Sequence, residues 1–257
     1  DMPQAELRVI AALSGDDKLI ELCSIADESR KFDPRYDPHS YVASIAFPNY
    51  LDIPEWETKV LPDGTLKKFS RRKGLRDAIK AVIYGLNYGA GAAKVHQTIM
   101  TDPRYDGPPL SIEMVDRIIV AIYQAFPKVR SYREKVIAAA SKSGYVRDAL
   151  IGRHRVYPLL DVSPTEASNY AIQATVASMM DLSIVEIACA LPQVDESAML
   201  VAQVHDALYG ECDEDKAESC KALLAEGMSQ KIRLVPDAPW MEFPVTAKAA
   251  HVWAQLG

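Results

Sequence analysis

Four side chains recur at every fourth position of the segment RDAIKAVIYGLNYG: Arg76, Lys80, Tyr84 and Tyr88. In a helix, residues four apart are offset by only about 40°, so these four form one slowly winding stripe along roughly 18 Å. Cations bind phosphate oxygens, and a phenol ring stacks on a planar base or sugar. The spacing therefore predicts a helix that offers one face to a nucleotide. An ordinary solvated face, with its tyrosines packed beneath a neighbour, would show the same spacing.

Two aspartates far apart in the sequence suggest a second kind of chemistry. Asp206, in QVHDALYGE, continues an alternating apolar pattern that predicts a strand with this carboxylate on its inward side. A carboxylate there must be ion-paired, protonated or bound to metal. If Asp1 lay beside it, a divalent cation would have to neutralise the pair, and carboxylate oxygens suit Mg²⁺ or Mn²⁺. Two such ions about 4 Å apart would make a phosphoryl-transfer site. Some phosphohydrolases also use an adjacent His-Asp pair, but on a helix.

The elements that must position these residues are mostly helical. Three prolines and a PDG turn in residues 47–66 predict an irregular excursion or small hairpin. GYVRDALIGRHRVYP predicts a strand pair, and residues 165–190 lack proline and glycine, which predicts a long helix. The fold class predicted is α+β with more helix than strand, with further helices at residues 75–88, 111–125, 128–142 and 214–231.

Composition limits the function classes. The formal net charge of -6 argues mildly against a nucleic-acid partner, although KKFSRRKGLR, residues 67–76, is strongly basic. We find no apolar run of the roughly 20 residues that a membrane span needs and no secretory signal, so we expect a cytoplasmic protein with no membrane partner. The chain opens on Asp1 rather than Met, which indicates an excerpt, a processed product or one piece of a larger protein.

The cysteines give no recognisable motif. Cys23, Cys189, Cys212 and Cys220 are scattered without a C-x-x-C pair. This scatter favours reduced thiols over a disulfide framework or a zinc site, and no role is assigned to them.

Taken in order, these segments resemble the polymerase I-like DNA polymerases, family A. DMPQAELRVIAALSGD is similar to the first palm motif of that family, RDAIKAVIYGLNYG to its fingers helix, and QVHDALYGE to its second palm motif. Further similarities in DPHSYVAS, FPKVRSYREK, GYVRDALIGRHR and SNYAIQATVA extend the resemblance over nearly the whole chain. It implies a right-hand palm of antiparallel sheet with helices, formed by residues 1–12 and 164–257. A mostly helical fingers subdomain, residues 13–163 with an inserted loop at 47–70, would lie between them.

The resemblance implies template-directed addition of deoxynucleoside triphosphates to a primer 3′-hydroxyl. Asp1 and Asp206 would hold two Mg²⁺ ions, for which Mn²⁺ can substitute. Arg76 and Lys80 would bind the triphosphate, with Lys80 also a candidate proton donor to pyrophosphate. Tyr84 would stack near the sugar and base, and tyrosine at this position is the family variant associated with acceptance of dideoxynucleotides.

Further roles follow from the same resemblance. Glu6, with Tyr88 at the templating position, would leave no room for a 2′-hydroxyl, so the substrate would be a deoxynucleotide. Gln4 would lie near the primer terminus and the incoming nucleotide. The residues expected to contact primer-template DNA are Asn169, Gln173, His205, Arg153 and Arg155.

The sequence also departs from the family pattern. Ala207 stands where the family usually places an acid, which predicts weaker metal binding, and Met2-Pro3 replaces a tyrosine-serine pair. Met2-Pro3, and a loop before the fingers helix that is longer than in the bacterial enzymes, suggest a phage or other divergent member, working in a bacterial or phage-infected cytoplasm. We expect an N-terminal thumb and exonuclease portion as a partner. The alternatives are a single-subunit RNA polymerase and a non-catalytic DNA-binding or assembly piece of a split polymerase.

Overall fold

The structure, a computed structural model, describes residues 1–25, 33–54, 57–60, 66–69, 71–87, 90–103, 105, 109–236, 238–252 and 255. The chain divides into two units. The first comprises Asp1–Leu13, Tyr145–Tyr157 and Tyr170–Gly257, and the second comprises Ser14–Gly144 and Pro158–Asn169. This division places residues 145–157 in the first unit and residues 164–169 in the second, whereas the predicted fingers include 145–157 and the predicted palm includes 164–169. The palm and fingers bounds stay a prediction.

Within the described residues, helices predominate over strands. The helices are α1 (Ala5–Ser14), α2 (Asp17–Ser24), α3 (Pro38–Ala46), α4 (Arg71–Asn87), α5 (Ala92–Thr101), α6 (Ile112–Ala125), α7 (Pro127–Ser143), α8 (Pro164–Val194) and α9 (Ala217–Met228). The strands are β1 (Glu57–Val60), β2 (Leu66–Phe69), β3 (Tyr145–Arg147), β4 (His154–Val156), β5 (Met199–Val204), β6 (Ala207–Glu211), β7 (Gln230–Ile232) and β8 (Met241–Phe243). Each odd-numbered strand pairs antiparallel with the next strand in sequence. This is the α+β composition that the sequence predicts.

The first unit contains most of α8 and the short α9. Gly227 of α9 lies against Ile187 of α8, where an added Cβ would come within 2.5 Å of Ile187 Cγ1. A larger residue at this position would have to displace the Ile187 side chain. Gln230, at the start of β7, donates from Nε2 to the Met179 carbonyl oxygen (3.1 Å) and to Ser183 Oγ (2.7 Å). Close packing and these hydrogen bonds hold α9 and β7 against α8.

Helix α8 corrects one expectation from composition. By length and composition it could cross a membrane, although half of its most apolar stretch is buried inside the protein. The expectation that no segment reaches such length and hydropathy is therefore wrong for α8. The helix also buries hydroxyl groups, including Thr175 and Ser178. The mostly buried core helix of a globular protein meets the same length and composition test.

In the second unit, α4 packs on α3, α5 and α6. It begins four residues before the predicted start at 75, and its buried side chains include Ile79 and Val82. Gly85 permits the close approach of α5, because a Cβ there would lie 2.8 Å from Val95 Cγ2. The apolar side of α4 is therefore covered, as its amphipathic pattern predicts.

The start of α6 and both ends of α7 have clear local causes. Ser111 caps α6 by accepting a hydrogen bond from the Met114 amide at 3.2 Å. Pro127 occupies the first turn of α7, where its missing N–H is not needed. Gly144 ends α7 with φ +77°, a left-handed conformation that glycine adopts without strain.

Candidate active site

The segment that begins with Asp1 lies beside the turn that carries Asp206. The Met2 amide donates to the Asp206 carbonyl oxygen at 3.1 Å. Asp1 exchanges two backbone hydrogen bonds with Thr246, at 2.9 and 3.0 Å. The structure therefore brings the two predicted metal-binding aspartates together on adjacent backbone segments of the first unit.

Asp206 stands in a hairpin turn and not within a single strand. Val204 of β5 pairs with Ala207 of β6, which leaves His205 and Asp206 as a two-residue turn. His205 has φ +54°, in the left-handed region that such tight turns require at their first position. The predicted continuous strand with an inward carboxylate is thus wrong, because neither glycine nor proline marks the turn. The turn leaves His205 exposed and Asp206 half-buried.

Arg8 anchors the segment that carries Asp1. This buried guanidinium donates from Nε to the Pro3 carbonyl oxygen (3.3 Å) and from Nη1 to the Glu242 carbonyl oxygen (2.9 Å). The Arg8 amide also donates to the carbonyl oxygen of Gln4, which has φ +59° and precedes α1. Arg8 therefore ties the Asp1 segment to β8. Sequence reasoning missed it, although an arginine in the apolar run ELRVIAAL signals a buried cation that needs partners.

Glu6 lies near both His205 and Asp206. Its Oε1 accepts a long hydrogen bond from Gln173 Nε2 (3.5 Å), and its buried Oε2 has no partner among the described residues. Burial raises the pKa of Glu6, and the Asp206 charge adds to this, while Gln173 and His205 act in the opposite direction. The first unit thus gathers three acidic residues, Asp1, Glu6 and Asp206, near His205 and the Asp1 ammonium group, which interacts electrostatically with Asp206.

This arrangement suits a divalent cation. In the part of the chain that the structure describes, neither the Asp1 nor the Asp206 carboxylate takes part in an ion pair. Carboxylates without basic partners repel one another, and a hard cation such as Mg²⁺ relieves that repulsion through oxygen ligands. The donor set therefore fits the ions that the sequence predicts.

The residues predicted to contact DNA occupy varied environments. In the first unit, Arg153 forms an ion pair with Asp181, and the Arg155 guanidinium lies 5.8 Å from the centre of the Tyr157 ring. Asn169 is four residues before Gln173 on α8, so the two side chains project from one side of that helix. Asn169 Oδ1 is buried and lacks a partner among the described residues.

Arg76, in the second unit, is already engaged. Its guanidinium binds Asp37 through Nε (2.8 Å) and Nη2 (2.9 Å). Asp37 also caps α3 by accepting from the Ser40 amide at 2.8 Å, and His39 Nδ1 lies 3.5 Å away. Burial alone would raise the pKa of Asp37, but His39 and Arg76 outweigh it and hold that pKa well below its usual range. Sequence reasoning assigned Arg76 to a triphosphate and did not foresee Asp37.

Lys80 differs from Arg76 because its side chain is exposed. Its Nζ lies 5.8 Å from the centre of the half-buried Tyr84 ring, one turn further along α4. Tyr88, the last member of the predicted stripe, lies outside the described residues. The exposed end of the stripe therefore presents an ammonium group next to an aromatic ring, which suits a phosphorylated, planar ligand.

Comparisons with known proteins agree with the resemblance in the sequence motifs. The family described as DNA polymerase family A matches residues 1–255. The thermostable DNA polymerase I of Thermus thermophilus is 32% identical over 239 residues, which are 90% of this chain and 24% of that protein. DNA polymerase I of Mycobacterium tuberculosis is 30% identical over 236 residues, which are 89% of this chain and 22% of that protein. The chain thus spans about a quarter of the length of these relatives.

A solved structure has a similar fold. It is the POL domain of Pol1 from M. smegmatis in complex with DNA primer-template and dNTP. The likeness has a TM-score of 0.65 at 27% identity and covers 96% of this chain and 38% of that one. The predicted α+β polymerase fold is confirmed by this likeness.

Proposed function

Because the chain belongs to DNA polymerase family A, we propose that it adds deoxynucleoside triphosphates to a primer 3′-hydroxyl under the direction of a template strand. The observation that carries this proposal is the convergence of Asp1 and Asp206. Their backbones are joined by the hydrogen bond from Met2, and no ion pair within the described residues neutralises them. A pair of unneutralised carboxylates is what two-metal phosphoryl transfer needs.

Asp1 and Asp206 would hold two Mg²⁺ ions, with Mn²⁺ able to replace them. When bound, such ions neutralise triphosphate charge and activate the attacking hydroxyl. The two aspartates contribute negative charge and position, and Arg8 keeps the Asp1 segment in place through the Pro3 and Glu242 carbonyl oxygens. The protein adds little covalent chemistry, because phosphoryl transfer depends mostly on positioning and electrostatic stabilisation.

The exposed part of α4 would bind the incoming nucleotide. Lys80 supplies a positive charge for the triphosphate and a proton for the leaving pyrophosphate, while Tyr84 and Tyr88 contact the sugar, the base and the templating position. Arg76 would reach the triphosphate only while sharing its guanidinium with Asp37, whose two oxygens it binds. Tyr84 also predicts that the chain accepts dideoxynucleotides, which a primer-extension assay with terminators measures.

Glu6 would select the deoxy sugar. Gln173 Nε2 donates a long hydrogen bond to its carboxyl group at 3.5 Å, and the side chain is half-buried. Held there, the carboxyl group would occupy the space that a 2′-hydroxyl needs. This argument favours a DNA polymerase over the single-subunit RNA polymerase, and Gln4 would support the same surface.

The bound DNA would contact several elements. Asn169 and Gln173 on α8 suit minor-groove acceptors, which are similar for every base pair and so allow sequence-independent binding. His205 would hold the primer end, and Arg153 and Arg155 would contact the phosphate backbone. The M. smegmatis relative was solved with primer-template and dNTP, which supports both substrates. A thumb and exonuclease portion, acting with this chain in the cytoplasm, would supply the remaining grip on the duplex.

The test is incorporation of dNTPs by the chain with and without Asp206→Asn, in Mg²⁺ and with the thumb portion of a family relative supplied. We expect the substitution to reduce incorporation on the order of 10³-fold, because a charge that stabilises the transition state is lost. Binding of primer-template in a gel-shift assay should be unchanged. Equal incorporation of dNTPs by both proteins would refute the proposed polymerase activity at Asp206. DNA binding without incorporation by the unchanged chain would favour the non-catalytic DNA-binding piece.

A further inference from the structure

Three potential metal ligands meet at the base of the hairpin that carries Asp206. They are Asp195, just after α8, Cys212, just after β6, and Cys220 in α9. Their carboxylate oxygen and two sulfur atoms all lie within 4.8 Å of one another. The sequence gives no sign of this, because the ligands follow different elements and are 17 and 8 positions apart.

Asp195 is held in one orientation. Its Oδ1 accepts from the Ser197 amide and hydroxyl, both at 2.8 Å, and its Oδ2 accepts from the Asp213 amide at 2.9 Å. Each carboxylate oxygen can accept two bonds, so Oδ2 keeps one acceptor position. Hydrogen bonds of this kind are how proteins fix the orientation of metal ligands.

The two sulfur atoms lie in an apolar environment. Cys220 is buried with Leu191 and Ala198, and Cys212 packs against this cluster with Leu223 and others. Asp195 and Cys220 are buried and Cys212 is half-buried, so one carboxylate and two thiols converge on one point that is largely shielded from water.

We propose that Asp195, Cys212 and Cys220 bind one thiophilic divalent cation of the Zn²⁺ class. Tetrahedral zinc places its ligand atoms about 3.7 Å apart, which small side-chain rotations could reach from the observed separations. Two thiolates exclude Mg²⁺, which prefers oxygen ligands. The site is therefore chemically distinct from Asp1 and Asp206. Because Cys212 is only half-buried, water could complete the coordination from its side.

A cation here would join three elements: the end of α8, the base of the β5–β6 hairpin and the first turns of α9. The unfolded chain does not bring these ligands together, so binding would stabilise the folded state. The expected consequence is a rise in thermal stability with Zn²⁺ that does not depend on polymerase activity.

The experiment uses the full chain, reduced and freed of metal, with its four thiols counted beforehand. Co²⁺ is the probe, since thiolate-to-cobalt charge transfer reports sulfur ligands and ignores cobalt on carboxylates. We expect one equivalent to produce the band, Zn²⁺ to abolish it by displacement, and Zn²⁺ alone to raise the melting temperature. Cys212→Ser and Cys220→Ser should lose the band. Asp195→Asn should weaken Co²⁺ binding by roughly tenfold or more.

Cys189→Ser is the matched control, because Cys189 is exposed on α8 and outside the cluster. It should keep the band and the Zn²⁺-dependent melting shift. If Cys220→Ser fails to fold, Cys212→Ser and the unchanged chain still test whether the cluster binds the cation. The proposal is overturned if a chain with four free thiols gives no band, if the band survives Cys212→Ser, or if Cys212 and Cys220 are found joined as a disulfide under reducing conditions.

Discussion

Arg76 on α4 and Asp206 in the β5–β6 turn are both charged residues in motifs that resemble those of polymerases, yet they differ in ion pairing. Arg76 is bound through two nitrogens to Asp37, which also caps α3 and contacts His39. Asp206 has no ion pair within the described residues, and its neighbours Asp1 and Glu6 add negative charge. One region neutralises its charges internally, and the other accumulates them.

The difference separates two uses of charge. A charge that is paired inside the protein contributes to the stability of the fold. Its removal leaves the opposite charge buried without a partner, which is unfavourable. Like charges held together weaken the fold and are suited to binding a cation. Substitutions that break an ion pair in the first region should therefore lower stability, and substitutions that remove a carboxylate from the second should change activity or relieve repulsion in the fold.

The largest effect on stability is expected for Asp37→Ala. It removes the partner of Arg76 and the cap of α3, so we expect the free energy of unfolding to fall by about 3 kcal/mol. Chemical denaturation measures the change. Glu134→Ala, which breaks the exposed Arg130–Glu134 pair on α7, is the control and should change it by less than about 1 kcal/mol. Equal changes in the free energy of unfolding from the two substitutions would contradict the claim that the Asp37–Arg76 pair contributes to the fold.

The pH dependence of Asp37 has a definite sign. Because its pKa is lowered in the folded chain, its contribution is fully present above the ordinary carboxyl pKa of about 3.9 and is lost as the pH falls below it. The stability difference between the unchanged chain and Asp37→Asn should therefore be greatest at neutral pH and shrink in acid. A difference that grew below pH 4 would contradict this assignment.

Lys80→Ala should reduce activity without loss of stability. Lys80 is exposed, and its Nζ lies 5.8 Å from the centre of the Tyr84 ring, so we expect an unchanged melting temperature. Incorporation of dNTPs should fall on the order of 10²-fold because a triphosphate charge loses its partner. Lys94→Ala, an exposed lysine on α5, should leave both measurements unchanged. A drop in stability would place Lys80 with Arg76 in the internally paired group.

Glu6→Gln should stabilise the chain at neutral pH. Burial, aided by Asp206, raises the pKa of Glu6, so the folded state binds its proton more tightly than the unfolded state. The free energy of unfolding must then fall as the pH rises from the ordinary glutamate pKa through the raised pKa of Glu6 in the folded chain. A neutral glutamine avoids that loss. We expect a gain of about 1 kcal/mol near pH 7, measured by denaturation across pH.

The gain from Glu6→Gln should disappear below the ordinary glutamate pKa of about 4.3, where both states are protonated. Glu186→Gln, on an exposed part of α8, should give no gain at any pH. A loss of stability with Glu6→Gln at neutral pH would mean that the ionised carboxylate is favoured in the fold.

The sequence was informative where local pattern decides structure. The period of α4, the break at Pro127 and the β3–β4 pair all follow from residues close together, and the structure has them. It was uninformative where distant residues meet. Asp37 binds Arg76 across 39 positions, and Arg8 reaches Glu242 across 234. The turn at His205 was missed because an unusual backbone angle, and not a glycine, creates it.

Ala207→Glu tests the smallest difference, the missing acid beside Asp206. Ala207 is half-buried and pairs with Val204 at the turn, so a glutamate there would lie close to the existing carboxylates. Added negative charge should lower the Mg²⁺ concentration for half-maximal incorporation by roughly twofold to tenfold. Without Mg²⁺, the same charge should lower the melting temperature through repulsion. Ala222→Glu on α9 adds the same charge elsewhere and should change neither the Mg²⁺ requirement nor the melting temperature. An unchanged Mg²⁺ requirement in Ala207→Glu would mean that position 207 does not influence the metal site.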